Sequence, residues 1–381
     1  MDCKFLKHGL AIGYDGAVKP CCTWSYDQTW STDNHYSRVN LSKWHQIQPL
    51  KQALETLSQN EWPDHCVNCA TTEKQNRNDS IRGGGENAYS SYGSDDITLE
   101  IRPGNVCNFA CQTCWPEASS RVAQFHHQAE FIDIKNLNSQ SIDDFDFLLP
   151  VKHRIKDVIL LGGEPFYDKN CLKFLEWSSD NLTANITMFT NGSYVDWNWV
   201  NNYSGKITMV FSIDAVGRPA EYIRFGTVWE EVYANFVRAQ QHPKIQLRVN
   251  ITTSVYNYYY ISDVIDLLVA DWPTVVTFGT PKLTYLLERA IPVDQRSSTI
   301  NKLEQSVLKI QNATIESGQK ANAINALNSI IHNLKTQSWD SAEYDKLCDF
   351  IKRMDRVKKI NVADYCQDLH VMLDKQPVEI F

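Results

Sequence analysis

Between Asp96 and Phe278 the chain alternates short runs of apolar, β-branched and aromatic residues with longer stretches of helical spacing. The strand candidates are Ile97 to Ile101, Val158 to Leu161, Ile186 to Thr190, Ile207 to Ile213, Ile245 to Thr252 and Val275 to Phe278. Runs of this kind suit a pleated, largely buried sheet. Between them lie Glu117 to Phe131, Leu172 to Trp177, Trp229 to Gln240 and Ile261 to Val269, which read as helices. Repeated strand-helix units predict a parallel sheet with right-handed crossovers. After Gly279 the strand pattern stops, and Gln305 to Gln311, Ala321 to Leu334 and Ala342 to Ile360 carry helical periodicity, with Ile360-Asn361-Val362-Ala363 opening a last helix. The expected organisation is an α/β core over 96-285 and a helical C-terminal region over 286-381.

Residues 1-85 follow neither pattern. Leu10 to Val18 reads as a hairpin turning at Tyr14-Asp15-Gly16, because Asp-Gly is a strong tight-turn pair. Such a hairpin brings Cys3 and Cys21 side by side. Trp44, Ile47, Leu50, Leu54 and Leu57 have helix spacing interrupted at Pro49, and they return the chain toward Cys66 and Cys69. Four thiols then converge, a set that suits an iron-sulfur cluster or a tetrahedral zinc ion. Cys22 beside Cys21 is a competing ligand. Residues 73-96, rich in Asn, Ser, Gly and Asp around Gly83-Gly84-Gly85, read as a linker rather than a phosphate loop, since no clear strand precedes the glycines and no Lys-Ser/Thr pair follows them.

With 381 residues, 43% hydrophobic and 22% charged, the chain is expected to be a soluble protein of two or three domains. Eleven tryptophans and seventeen tyrosines fit a deep ligand cavity. A net charge of -8 offers no footprint for a phosphate backbone and argues against nucleic acid as a generic partner. Met1 to His8 has no apolar core of signal-peptide length and no later run approaches membrane-spanning length, so a cytoplasmic location without a membrane partner is expected. In that reducing compartment, eleven cysteines read as metal ligands or buried thiols.

The chemistry concentrates at the strand ends, where parallel α/β folds carry function. Directly after the Ile97 strand, Asn105 to Cys114 holds Cys107, Cys111 and Cys114 at Cys-x3-Cys-x2-Cys spacing. A loop this short can wrap three thiolates around one corner of a 4Fe-4S cluster, and with three ligands where four are usual, one iron stays open. Zinc or reduced structural thiols are the alternatives for the triplet alone. Leu160-Leu161-Gly162-Gly163-Glu164-Pro165 ends the second strand; paired glycines allow close backbone approach, and Glu164 can accept from an ammonium group. Phe189-Thr190-Asn191-Gly192 follows the third strand. Phe211-Ser212-Ile213-Asp214-Ala215 ends the fourth, ahead of Tyr222-Ile223-Arg224-Phe225-Gly226, and Asn250 lies on the fifth.

This series resembles the radical S-adenosylmethionine enzymes. The resemblance implies a partial (β/α)6 barrel with a small N-terminal cysteine-rich module and a helical C-terminal region. It implies a 4Fe-4S cluster on Cys107, Cys111 and Cys114, with the open iron chelated by the amino and carboxylate groups of S-adenosylmethionine. By the same resemblance Gly162, Gly163 and Glu164 bind the amino end of that cofactor, and Ser212 and Arg224 contact its carboxylate or ribose. Asn191 or Asp214 lines the cavity, and Asn250 faces the adenosine. Residues 1-85, as Cys3-x12-Gly16-x4-Cys21 and then Cys66-x2-Cys69, resemble the twitch module, the shortened relative of the SPASM domain. That likeness implies a second, auxiliary 4Fe-4S cluster on Cys3, Cys21, Cys66 and Cys69. Phe350 to Arg356 resembles the C-terminal part of proteins with an N-terminal twitch module.

The implied activity is that of an oxidoreductase or maturase. An electron from a donor such as flavodoxin or ferredoxin cleaves S-adenosylmethionine to methionine and a 5'-deoxyadenosyl radical, which abstracts hydrogen from a substrate. The expected substrate is a peptide or protein, as for many relatives with auxiliary clusters. Dehydrogenation of a small alcohol or sugar is the alternative enzyme, and a zinc-stabilised binding module is a third, non-enzymatic reading. Tyr256 to Tyr260 is expected to pack at a helix start, and His126 and His127 to be packed or solvated. Cys171, Cys348 and Cys366 are expected to be buried thiols, and the C-terminal helices to cap the barrel.

Overall fold

The structure, a computed structural model, describes residues 1–13, 15–74, 80, 82, 91–134, 141–270, 275–281 and 283–374. Gly83-Gly84-Gly85 and most of the expected 73-96 linker lie outside these residues. The chain divides into two compact units. The first is Met1–Asn105, Asn138–Met188 and Asp196–Ile207; the second is Val106–Leu137, Phe189–Val195 and Thr208–Phe381.

In the first unit the strands β1 (Gly9–Ile12), β2 (Val18–Lys19), β3 (Ile97–Ile101), β4 (Ile155–Leu160) and β5 (Asn185–Thr190) are ordered β2-β1-β3-β4-β5. β1 and β2 form the expected antiparallel hairpin, with Ala11 opposite Lys19 and Ile12 opposite Val18. Gly16 supplies the positive φ of 75° that this turn needs. β1 also runs parallel to β3, Leu10 opposite Leu99, so the hairpin extends the edge of the sheet instead of forming one of its own. The sequence signals the hairpin but not this second partner. All four residues of β1 are buried, and a strand covered on both faces has no alternation to show which neighbour it takes. β3, β4 and β5 pair in parallel, as the strand-helix repeat requires. The expected Trp44–Leu57 helix divides into a 3-10 turn, Leu41–Gln46, and an α-helix, Gln48–Ser58. Pro49 sits in the first turn of the latter, where its missing N–H breaks no helical bond. Trp44 Nε1 and His45 Nε2 both reach the Gly9 carbonyl, at 3.3 and 3.0 Å, which ties this segment to β1.

The second unit holds β6 (Ile207–Ser212), β7 (Ile245–Thr252) and β8 (Val275–Gly279) in the order β6-β7-β8, with β7 and β8 parallel. The helices Trp229–Gln240 and Ile261–Val269 have the limits that their periodicity predicts. Among the described residues four α-helices follow: Ser297–Asn312, Ser317–Thr336, Ser341–Lys358 and Gln367–Asp374. One apolar core joins them to the rest of the unit, running from Tyr222, Tyr256 and Tyr258 through Ile265, Leu303 and Leu327 to Leu347, Phe350 and Met354. Tyr256 to Tyr260 is buried in this core immediately before the Ile261–Val269 helix, as expected of helix-start packing. Among the described residues no helix is long and apolar enough to cross a membrane.

Candidate cluster sites

The Cys107–Cys114 stretch of the second unit is irregular backbone laid against a second strip of chain. Ala110 N–H donates to the Phe225 carbonyl and Gln112 N–H to the Ile223 carbonyl, both at 2.8 Å. Gly226 has φ 109°, and a Cβ there would fall 3.0 Å from the Asn108 carbonyl oxygen and from the Phe109 ring, so any other residue at this point would be strained. Phe109 and Ala110 are buried. Cys107 Sγ accepts from the Phe109 N–H at 3.4 Å and lies 3.9 Å from Asn191 Nδ2. Asn191 Nδ2 donates to Asn108 Oδ1 at 2.8 Å, and its own Oδ1 accepts from the Ser193 N–H at 2.9 Å. Asn191 thus stands at the first cysteine, held by the loop itself.

Asp214, fully buried, accepts from Arg224 Nη1 at 2.9 Å and from the Thr252 N–H at 2.7 Å. Burial works against the Arg224 charge, but Cys111 and Asp214 outweigh it and hold the guanidinium firmly protonated. Arg224 Nε is buried and has no hydrogen-bond partner among the described residues. Burial pushes the Cys111 thiol up while Arg224 pulls it back. Cys114 is pushed up to about 12 by burial and by Cys111, against the opposing pull of Arg224 and Lys358. Ser212, at the end of β6, is half-buried. Asn250 Oδ1 accepts from Thr277 Oγ1 at 2.9 Å.

Lys358 escaped the sequence reading. It ends the Ser341–Lys358 helix, buried, and its Nζ donates to the Ala110 carbonyl at 2.8 Å and to Gln112 Oε1 at 2.9 Å. The rings of Phe225 and Phe125 lie 5.3 and 5.8 Å from the same nitrogen. Burial lowers its pKa to about 7, whereas Cys111 and Asp355 pull upward, so thiolates in the loop favour the charged ammonium. A signal was present: Leu347, Phe350, Ile351, Met354 and Lys358 fall on one buried helical stripe, where a lysine is out of place.

In the first unit Cys3, Cys21, Cys66 and Cys69 line a single pocket together with Thr23, Trp24, Trp62, His65 and Arg82. Thr23 Oγ1 lies 3.6 Å from Cys21 Sγ and 3.9 Å from Cys69 Sγ. Burial raises the Cys3 thiol, and it raises Cys66 to about 12, with Arg82 opposing at both. The Arg82 guanidinium is buried in an ion pair with Glu73 and donates to the Asp2 carbonyl at 2.9 Å. Trp24 stacks on His65 at 4.4 Å, and its Nε1 has no hydrogen-bond partner among the described residues. Cys22 is exposed, outside this pocket and beside Glu100. Among the described residues no three His, Cys, Asp or Glu side chains are grouped so as to hold a single metal ion. The Gly162-Gly163-Glu164 turn follows β4 in this unit. Gly162 has φ 151°, and a Cβ there would lie 2.6 Å from the Gly104 carbonyl oxygen. Glu164 is buried, and its carbonyl accepts from the Asp168 N–H at 2.8 Å.

No protein-family model and no curated protein sequence matches the chain. Similar solved structures include Streptococcus suis SuiB bound to S-adenosylmethionine, 16% identical over 57% of this chain and 46% of that one, with a TM-score of 0.37. They also include anSMEcpe with bound AdoMet, 17% identical over 55% and 60% of the two chains with a TM-score of 0.39. A third is TYW1 with a lysine-pyruvate adduct bound, 13% identical over 62% and 80% with a TM-score of 0.35. The match spans less than two thirds of the first two proteins, 46% and 60% of their lengths.

The remaining expectations concern packing. His126 is buried between the Phe131 and Phe350 rings, at 5.7 and 5.6 Å, and burial together with Lys358 lowers its pKa to about 4. His127 is exposed, its ring 3.2 Å from the Ile132 carbonyl. Cys171 and Cys366 are buried, as expected, whereas Cys348 is only half-buried.

Proposed function

We propose that the chain is a radical S-adenosylmethionine enzyme of the oxidoreductase or maturase type that carries a second, auxiliary iron-sulfur cluster. The observation that carries this reading is the Cys107–Cys114 loop, with three thiols and two cations near it, the half-buried Arg224 and the buried Lys358. An iron-sulfur cluster held by thiolates is anionic, and buried charge requires compensation nearby. Three local thiols suit a 4Fe-4S cluster with one iron left for S-adenosylmethionine. When bound, these groups supply a one-electron cleavage that yields methionine and a 5'-deoxyadenosyl radical, which removes hydrogen from the substrate.

The residues of the chain prepare that chemistry. Cys107, Cys111 and Cys114 hold the cluster, Asn191 orients Cys107, and the 223–226 strip keeps the loop in its ligating shape. Asp214 fixes Arg224, whose Nε has no partner among the described residues and so keeps donor capacity for a carboxylate. On the sequence motifs we assign Gly162, Gly163 and Glu164 to the amino end of S-adenosylmethionine, Ser212 and Arg224 to its carboxylate or ribose, and Asn191, Asp214 and Asn250 to the cavity. We assign Cys3, Cys21, Cys66 and Cys69 to the auxiliary cluster. Their shared pocket supports this, as does the Trp24 indole N–H, which has no partner among the described residues and is a donor suited to cluster sulfur. The substrate is taken to be a peptide or protein, and the electron donor a flavodoxin or ferredoxin.

The test is anaerobic reconstitution followed by reductant and S-adenosylmethionine. Wild-type protein is expected to form 5'-deoxyadenosine, and Cys107→Ala, Cys111→Ala and Cys114→Ala each to fall to background. Protein that binds zinc at the triplet and forms no 5'-deoxyadenosine would overturn the proposal.

A further inference from the structure

We propose that Lys358 is a positioning residue for the Cys107–Cys114 loop, and that its charge raises the reduction potential of the cluster held there. The inference rests on the function proposed above and concerns a residue outside every motif of that function. Two features single it out. The first is reach: from the end of the Ser341–Lys358 helix, Lys358 Nζ bonds both Ala110, next to Cys111, and Gln112, on its other side. It therefore clamps the loop on both flanks of one ligand.

The second feature is the missing ion pair. Arg224 is neutralised by Asp214 at 2.9 Å. Lys358 forms no such ion pair among the described residues: Asp355, on its own helix, favours the ammonium through its charge, but its oxygens are bonded by Tyr222 Oη at 2.8 Å and by the Val362 N–H at 2.8 Å. Two neutral carbonyl acceptors and two aromatic faces satisfy the geometry of an ammonium but not its charge. A buried cation without an ion-pair partner is costly. A thiolate-ligated cluster beside Cys111 would supply the close anion that Asp355, bonded elsewhere, does not. Reduction adds one more negative charge to the cluster, and a cation in a low-dielectric site stabilises the reduced form more than the oxidised one. Lys358 therefore makes the first electron easier to accept.

The experiment is a redox titration of the full chain, anaerobically reconstituted, following the electron paramagnetic resonance signal that the Cys107→Ala/Cys111→Ala/Cys114→Ala variant lacks. Lys358→Met and Lys358→Gln are expected to shift its midpoint to more negative potential, while Lys358→Arg stays near wild type. Circular dichroism and thermal melting establish that each variant is folded. Should Lys358→Met fail to fold, Lys358→Gln, which keeps a hydrogen-bond donor, decides the question. A folded neutral variant at the wild-type potential would overturn the inference, and so would a Lys358→Arg protein displaced as far as the neutral ones. Wild-type protein without a cluster at the triplet would instead defeat the functional reading itself.

Discussion

Asp214 has both carboxylate oxygens committed, one to Arg224 and the other to the Thr252 N–H. Removing its charge strands a largely enclosed guanidinium, and breaking a buried pair from one side costs up to about 3–5 kcal/mol. Asp214→Asn is therefore expected to lose stability on that scale, read as a lower urea midpoint of the metal-free protein. Ser212→Ala, two residues away and half-buried, is expected to change it by less than about 1 kcal/mol. Both Asp214 and Arg224 are legible in the sequence as members of separate motifs. Their pairing is not, because a motif specifies a residue type at a strand end and says nothing of which way the side chain turns. Lys358 is a sharper instance: 248 positions separate it from Ala110, and only the packed helix brings them together.

At the scale of elements, the amphipathic helices were the most legible. Trp229–Gln240 and Ile261–Val269 match their expected limits because a single apolar face sets both ends. Ser120–Gln128 illustrates what the pattern leaves out, since the partner of its buried His126 is the ring of Phe350 on the Ser341–Lys358 helix. His126 has a folded pKa of about 4, below the ordinary 6.5. A depressed value means that its contribution is fully present above about pH 6.5 and is lost as pH falls through about 4. The loss amounts to at most about 3.5 kcal/mol, at roughly 1.4 kcal/mol per pKa unit. Urea unfolding at pH 7, 5.5 and 4 is expected to show this decline, and His126→Phe to flatten it.

For the whole molecule, the two cysteine sets make the question one of metal content. Anaerobically reconstituted Cys107→Ala/Cys111→Ala/Cys114→Ala is expected to retain about four irons per chain, those of the proposed auxiliary cluster. Iron near zero with bound zinc would make residues 1-85 a structural module and leave a one-cluster mechanism. The sequence by itself determined the strand-helix alternation, the helical character of the C-terminal part, the β1–β2 hairpin and the identity of the candidate thiols. Each of these rests on spacing within a few residues, where backbone geometry is local. Only the tertiary structure decided that β1 joins β3, that Cys21 rather than Cys22 lines the pocket, that Asp214 takes Arg224, and that Lys358 enters the cysteine loop. These depend on burial and on contacts between distant parts of the chain, where the cost of an unpaired charge or an uncovered strand edge selects the partner.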